Sequence, residues 1–412
     1  MKSAPRARSR QLAGRGCSAA GSRPEEGENH RLTTPIELLT RQDDADQLFS
    51  DLAREPLLAV DTEAASFHRY HDRIYLIQVS SRTRTAVLDP LTIGDLRGLG
   101  ALLADGDIEI LFHDADYDLR ILDRDYGFQV RRIFDTKVAA ELLNEPGIGL
   151  AALLEKYLGV TLDKKFQRAD WSRRPLSAEM LAYAAADTLH LPTLRDLLAH
   201  QLKERGRWSW AEEEFELLEQ LGWNDSGPKE EAFLRLKGAR ALKGRALAVL
   251  RELYDWRETT AHQLDRATFR VLGNETLMAL ATRQPTDLAG LEGIPGLSAE
   301  GIGRRGTELL AAVARGMTAR LDSLPVIERG RRPARDPEFD SALERLKVVR
   351  NAAAERIGLT TGVLCPNGIL EGIARLKPQT LDALATVPGI RRWQVGVLGE
   401  ELLAAAAPPA AA

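Results

Sequence analysis

The run Leu57-Leu58-Ala59-Val60-Asp61-Thr62-Glu63 constrains this chain more than any other stretch. Four apolar residues follow Pro56 and lead into two carboxylates one residue apart. A run so short and rich in Leu and Val reads as a buried strand, not a helix. Side chains alternate along a strand, so Asp61 and Glu63 point to one face. Two carboxylates leaving a buried strand together repel each other unless a cation lies between them. They therefore make half of a site for a hard divalent ion such as Mg²⁺ or Mn²⁺. Taken alone, D-x-E after an apolar run is more often a strand ending in a solvated acidic turn. Partner carboxylates downstream decide the matter.

A chain of 412 residues calls for two or three domains. Its 44% hydrophobic and 28% charged content is that of a globular protein. A net charge of −4 excludes a uniformly basic nucleic-acid binder but leaves room for a local basic face. Cys17 and Cys365 are far apart, which excludes a disulfide framework or a Cys-rich zinc site and fits a reducing cytoplasm. No apolar run approaches the length of a membrane span.

Residues 1–32 read as a disordered basic tail, because Met1 to Pro24 carries six basic residues and no acid among Ser, Ala and Gly. An α/β region is expected over 33–205. Strands are predicted at Leu57–Glu63, Ile74–Ser80, Thr85–Asp89 and Ile108–Phe112, the middle two joined as a hairpin. Helices are predicted at Asp43–Ala53, Leu96–Leu103, Asp116–Tyr126 with Gly127 as C-cap, Ala139–Leu143, Leu150–Tyr157 and Ala178–Leu202. This alternation argues a mixed sheet flanked by helices. Residues 206–228 read as a linker, acidic and aromatic at first and then broken by Asn224-Asp225-Ser226-Gly227-Pro228.

No convincing strand follows. Two helical units are expected at 229–317 and 337–405, with a basic linker at 318–336 and a frayed, Ala-rich end at 406–412. The units look duplicated. Gly293-Ile294-Pro295-Gly296-Leu297 precedes Glu308-Leu309-Leu310, and Val387-Pro388-Gly389-Ile390 precedes Glu401-Leu402-Leu403.

Downstream carboxylates do appear. The strand ending at Phe112 runs into His113-Asp114-Ala115-Asp116-Tyr117-Asp118-Leu119, where acids suit the start of a helix. Asp114 and Asp118 are four apart, so either can reach the site. Tyr183 and Asp187 lie on one helical face, with small alanines between them. D-x-E, then D, then Y-x-x-x-D in this order resembles the DEDD 3′–5′ exonuclease superfamily, in the subclass with Tyr. Within it the chain resembles the bacterial ribonuclease D family. The likeness includes Tyr75-Leu76-Ile77-Gln78-Val79, Phe134-Asp135-Thr136 and Gln167-Arg168-Ala169-Asp170-Trp171-Ser172-Arg173-Arg174-Pro175-Leu176. The helical units, with Trp256-Arg257-Glu258 and Arg392-Trp393, resemble that family's paired HRDC domains.

The resemblance implies a ribonuclease H-like α/β exonuclease domain followed by two all-α HRDC-like domains. It implies Asp61, Glu63, Asp118 and Asp187 as metal ligands and Tyr183 as the residue that orients the attacking water. One departure is that Asp114 stands where many relatives have Asn. Four carboxylates balance the charge of two divalent cations, Mg²⁺ or Mn²⁺, which suffice for phosphodiester hydrolysis without a strong protein base. The expected activity is 3′–5′ exoribonuclease action releasing 5′-mononucleotides, in tRNA 3′ maturation, by a cytoplasmic monomer. The expected partner is RNA with a single-stranded 3′ end, tRNA precursors in particular, and no membrane. A DNA or general single-strand exonuclease is the nearest rival, and a non-catalytic RNA-binding scaffold is the rival of another class.

Substrate contacts are sought in the loop Phe67–Arg73 and along Lys164, Lys165, Arg168, Arg173 and Arg174. Arg235, Lys237, Arg240, Lys243 and Arg245 offer a basic surface on the first helical unit. His68, His71 and His113 are poor candidates for a hard metal.

Overall fold

The computed structural model describes residues 36–224, 229–320, 322 and 336–407. The expected basic tail, most of the basic linker and the last five residues lie outside the described residues.

The Leu57 strand occupies the interior of a six-stranded mixed sheet. Its strands are β1 (Ile36–Leu39), β2 (Leu57–Ala64), β3 (Ile74–Ser80), β4 (Thr85–Leu88), β5 (Glu109–Phe112) and β6 (Ile133–Asp135), in the spatial order β1-β4-β3-β2-β5-β6. β2 runs antiparallel to β3, with Asp61 opposite Gln78 and Glu63 opposite Leu76, and parallel to β5. β3 and β4 form the predicted hairpin. β1 and β6 were not anticipated. Each is only three or four residues long, and Ile36-Glu37-Leu38-Leu39 has no alternation that separates it from a helical turn.

Three helices, α1 (Gln42–Leu52), α2 (Arg97–Ala104) and α3 (Asp116–Tyr126), cover one face. There Leu58 and Val60 meet Leu48, Phe49, Leu99 and Leu122 in one core. The other face carries α4 (Thr136–Leu142), α5 (Leu150–Leu158), α6 (Ala178–Leu189), α7 (Leu191–Glu204) and α8 (Trp208–Leu218). The single helix expected over Ala178–Leu202 breaks at His190, where Pro192 opens α7. The stretch 206–228, expected as a linker, contains α8.

The first helical unit holds α9 (Gly244–Gln263), α10 (Thr268–Val271), α11 (Asn274–Arg283) and α12 (Ala299–Thr318). The second holds α13 (Pro337–Ile357), α14 (Thr361–Leu364), α15 (Asn367–Leu376), α16 (Leu381–Ala385) and α17 (Arg392–Ala406). One buried guanidinium pins each unit. Arg257 donates to the Leu272 carbonyl and to Asn274 Oδ1 (2.7 Å). Arg350 does the same to Cys365 and Asn367 Oδ1 (2.7 Å). The duplication read from the sequence is thus repeated in the hydrogen bonding.

The two units sit differently against the α/β domain. The first has its own core around Leu250, Leu280 and Leu309. The core of the second runs on into that of α4, α7 and α8. There Trp210 stacks on Trp393 at 4.8 Å. Glu213 accepts from the backbone N–H groups of Arg392 (2.6 Å) and Trp393 (2.9 Å), and Glu214 accepts from Arg391 and the Trp393 indole. The acidic stretch read as linker is a socket for the N-terminus of α17, where the helix dipole favours negative charge.

Candidate active site

Asp61 and Glu63 follow Leu57 and Ala59 onto the face of β2 that α6 covers, as strand alternation requires. On α6, Ser177 caps the helix by accepting from Met180 N (3.1 Å). Buried Ala184 and Ala185 let the helix lie close on β2, β3 and β4. Tyr183 and Asp187, one turn apart, therefore face the strand carboxylates. Oxygens of Asp61, Glu63 and Asp187 lie within 4.8 Å of one another.

Asp118 arrives from the opposite side of the sheet. It sits in the first turn of α3, is buried, and accepts a hydrogen bond from Thr62 Oγ1. The start of α3 is fixed by Asp135 at the end of β6. This buried carboxylate accepts from the N–H groups of Asp114 (3.2 Å) and Ala115 (2.7 Å), and also from Lys137 and Val138 at the start of α4. An Asp closing a short apolar run just before a helix is a recognisable N-cap. That it serves two helices, and so sets the place of Asp118, was not legible.

Asp114 is paired elsewhere. It has a left-handed backbone (φ 70°), its side chain is exposed, and it pairs with Lys137 Nζ at 2.7 Å. Of the two acids the sequence left open, Asp118 is the one placed beside the cluster.

Electrostatics define the cluster. Burial, then the charges of Asp118, Asp187 and Glu63, push the Asp61 carboxyl well above the usual range. Glu63 is raised by burial and by Asp187 and Asp118. Burial lifts Asp118 and Asp187 to about 7. The neighbouring charges that weigh most on Asp61, Glu63 and Asp118 are negative. Four neighbouring carboxylates that, among the described residues, make no ion pair with a cationic side chain suit a hard divalent cation. Asp61, Glu63, Asp118 and Asp187 are the groups that would hold it.

Tyr183 is clamped between Phe166 (5.9 Å) and Trp171 (6.0 Å). Burial first, then Asp187, Glu63 and Asp61, raise its pKa, so the phenol stays protonated. Tyr183 and Asp187 also line a cavity of about 400 Å³ with Asp163, Lys165 and Phe166.

The other candidates divide. Arg174 is a strut, donating to both oxygens of buried Asp89 (2.6 and 2.8 Å) and to the Tyr75 carbonyl. Lys165 pairs with Glu179 (2.6 Å), and Arg168 lies over the Phe67 ring. The loop Phe67–Arg73 is an interdomain joint. Asp265, at the end of α9, accepts from Tyr70 N (3.2 Å), His71 N (3.3 Å) and Arg69 Nη1 (3.3 Å), while His68 O accepts from Ala267 N. Arg69 reaches on to Ser172 Oγ (2.6 Å) and Asp170. His113 bonds Thr136 Oγ1, and His71 packs on Tyr70 and His262. The basic residues Arg235, Lys237, Arg240, Lys243 and Arg245 are exposed.

A mixed sheet with this acidic cluster, carrying two duplicated helical units, defines a 3′–5′ exonuclease with paired HRDC domains. Residues 36–203 match the 3′–5′ exonuclease family model, and residues 246–313 and 340–405 each match the HRDC domain. Ribonuclease D of Gluconacetobacter diazotrophicus is 32% identical over 372 residues, 89% of this chain and 92% of that protein. That of Nitrobacter hamburgensis is 33% identical over 90% of this chain and 94% of its own length. The crystal structure of Escherichia coli RNase D, an exoribonuclease involved in structured RNA processing, superposes with a TM-score of 0.67 at 28% identity, over 90% of this chain and 98% of that one. The chain belongs to the ribonuclease D family and is a 3′–5′ exoribonuclease. Among the described residues no helix is long and apolar enough to cross a membrane.

Proposed function

We propose that this protein removes nucleotides one at a time from single-stranded RNA 3′ ends, with Asp61, Glu63, Asp118 and Asp187 holding two divalent cations, Mg²⁺ or Mn²⁺. The observation that carries the reading is the meeting of Asp61, Glu63 and Asp187 oxygens within 4.8 Å, with Asp118 acting on them and, among the described residues, no ion pair to any of the four. When bound, the cations supply Lewis-acid activation of water and neutralise charge on the phosphodiester and its leaving 3′-oxygen.

The chain's own residues do the rest. Tyr183, protonated and held between two rings, offers its hydroxyl as a hydrogen-bonding guide for the attacking water. A phenol whose pKa is pushed upward makes a poor base at neutral pH. Burial around the cluster strengthens each of these interactions. The cavity lined by Phe166 and Tyr183 offers aromatic surface to the terminal base.

The substrate class we infer is tRNA precursors, and the products are 5′-mononucleotides. The similarity to an E. coli enzyme of structured RNA processing supports this reading. We also read the protein as a cytoplasmic monomer.

The test uses 5′-labelled RNA and DNA of one sequence with wild type and Asp187→Asn, in Mg²⁺, Mn²⁺ or EDTA. RNA shortened stepwise from its 3′ end, and lost in the variant and in EDTA, supports the reading. Equal loss of DNA makes the enzyme a general single-strand exonuclease. Binding without shortening makes it a scaffold.

A further inference from the structure

The duplicated helical units present the same face to different surroundings. In the second unit, that face is a cavity of about 390 Å³ lined by Gly362, Val363, Gly389, Arg391 and Trp393, and the catalytic domain lies against it. Glu213 occupies the first amides of α17, and Glu214 pairs with Arg391. Anionic groups therefore sit at the N-terminus of this helix.

In the first unit, the equivalent positions line a cavity of the same volume at the N-terminus of α12. The repeat of Arg257, Leu272 and Asn274 in Arg350, Cys365 and Asn367 fixes the correspondence. By it, Leu359, Val363, Val397 and Leu398 of the second unit become Arg266, Arg270, Arg304 and Arg305 in the first. All four arginines line the cavity. Ser298 caps α12 by accepting from Gly301 N (3.1 Å), and the other leading amides have no acceptor within the helix. Glu300 is engaged by Arg304. The Nη1 atom of Arg305 is buried and has no hydrogen-bond partner.

We infer that this cavity is a second RNA site, which takes a backbone phosphate of the substrate upstream of its 3′ end. Where the second unit is apolar and receives carboxylates of its own chain, the first has a helix N-terminus and four cations, the donor set for a phosphodiester. The cavity also adjoins the catalytic domain. Arg270 donates to the Phe67 carbonyl, Phe269 packs on Phe67 at 6.2 Å, and Arg168 lies over the Phe67 ring. A cationic row thus leads from the cavity to the loop that clamps Tyr183. RNA is the occupant because it is the polyanion whose 3′ end the site reading places at the carboxylates, and the inference rests on that reading for its direction only.

The test measures binding, not turnover. The full chain carrying Asp187→Asn is titrated in Mg²⁺ with a trinucleotide and with single-stranded RNA of about 20 nucleotides, with and without Arg266→Gln plus Arg304→Gln. Both arginines are exposed, so the fold tolerates the change. For the long RNA the dissociation constant rises about tenfold and the salt slope falls by about 1.4, two contacts at about 0.7 each. Trinucleotide binding falls far less. Unchanged binding of the long RNA, or equal loss on both, overturns the inference. So does displacement of the long RNA by polyglutamate as readily as by unlabelled RNA, which would give the cavity to an acidic protein segment. Absence of exonuclease activity in wild type would sink the catalytic reading and leave this measurement intact.

Discussion

Thr62 Oγ1 of β2 donates to Asp118 Oδ1 of α3. A strand residue between two cluster carboxylates thereby holds a third that comes from a helix on the opposite face. Thr62→Val keeps the shape and removes the donor. A hydrogen bond to a charged group contributes about 1.5 kcal/mol, so the Mg²⁺ concentration for half-maximal activity rises about tenfold. Thr62→Ser restores it. A magnesium titration of initial rates reads the effect, and an unchanged midpoint removes Thr62 from the site.

Burial of the cluster's carboxylates makes metal-free protein sensitive to pH. Asp187 is raised from 3.8 to about 7 by burial, so the folded state holds its proton more tightly than the unfolded chain does. That contribution to stability is complete below about pH 4 and is lost as pH rises through about 7. In EDTA, melting temperature therefore declines across this window. Asp187→Asn flattens the decline and raises the pH 8 value by about 2–4 °C per kcal/mol of relieved burial penalty. The same variant loses the stabilisation that Mn²⁺ gives wild type. Thermal melts at pH 5 and pH 8, with and without Mn²⁺, measure all three.

Tyr183→Phe leaves the aromatic clamp of Phe166 and Trp171 filled and removes only the hydroxyl. Metal-induced stabilisation should persist while kcat drops about 10²-fold. Wild-type kcat in this variant would end the positioning role.

Asp89 is almost fully buried and its partner is Arg174, which separates a strut from a phosphate ligand. Arg174→Ala strands that carboxylate and destabilises the protein by about 3 kcal/mol. Arg173→Ala, on an exposed side chain, changes stability by no more than about 0.5 kcal/mol. Urea denaturation of the two variants tests the contrast. Equal stabilities, with RNA affinity lost in Arg174→Ala alone, would reverse the assignment.

Asp265 accepts three hydrogen bonds from the loop that follows β2. Asp265→Ala leaves the Tyr70 and His71 amides without that acceptor, at about 1–3 kcal/mol. Amide exchange over residues 67–72 should quicken while β3 stays protected. Unaltered exchange in the loop would show that the joint is held elsewhere.

The parts of the fold legible in the sequence are those written in local periodicity. The run from Leu57 to Glu63 announced both its strand and the shared face of its carboxylates. Gly127 ended α3 where expected, with the positive φ that glycine accommodates. Tyr183 and Asp187 needed only the turn of a helix. What stayed hidden depends on partners far along the chain. Glu213 and Glu214 read as linker acids because Arg391, Arg392 and Trp393 lie some 180 residues away. Arg174 read as a substrate cation because Asp89 is 85 residues distant. The loop at Tyr70 read as a substrate contact because its acceptor, Asp265, belongs to another domain. Asp114 and Asp118 part by a left-handed backbone at Asp114 and by distant partners, Lys137 for the one and Thr62 for the other.

The continuous core between the catalytic domain and the last helical unit has a bearing on biosynthesis. A ribosome exposes α8, with Trp210 and its row of glutamates, 179 residues before Trp393 is made to cover Glu214. At about 5–20 residues per second, that surface waits about 10–35 seconds for its cover. During this interval the nascent exonuclease carries an uncovered tryptophan beside an unpaired acidic ridge. A chain that stops short of α17 keeps them permanently.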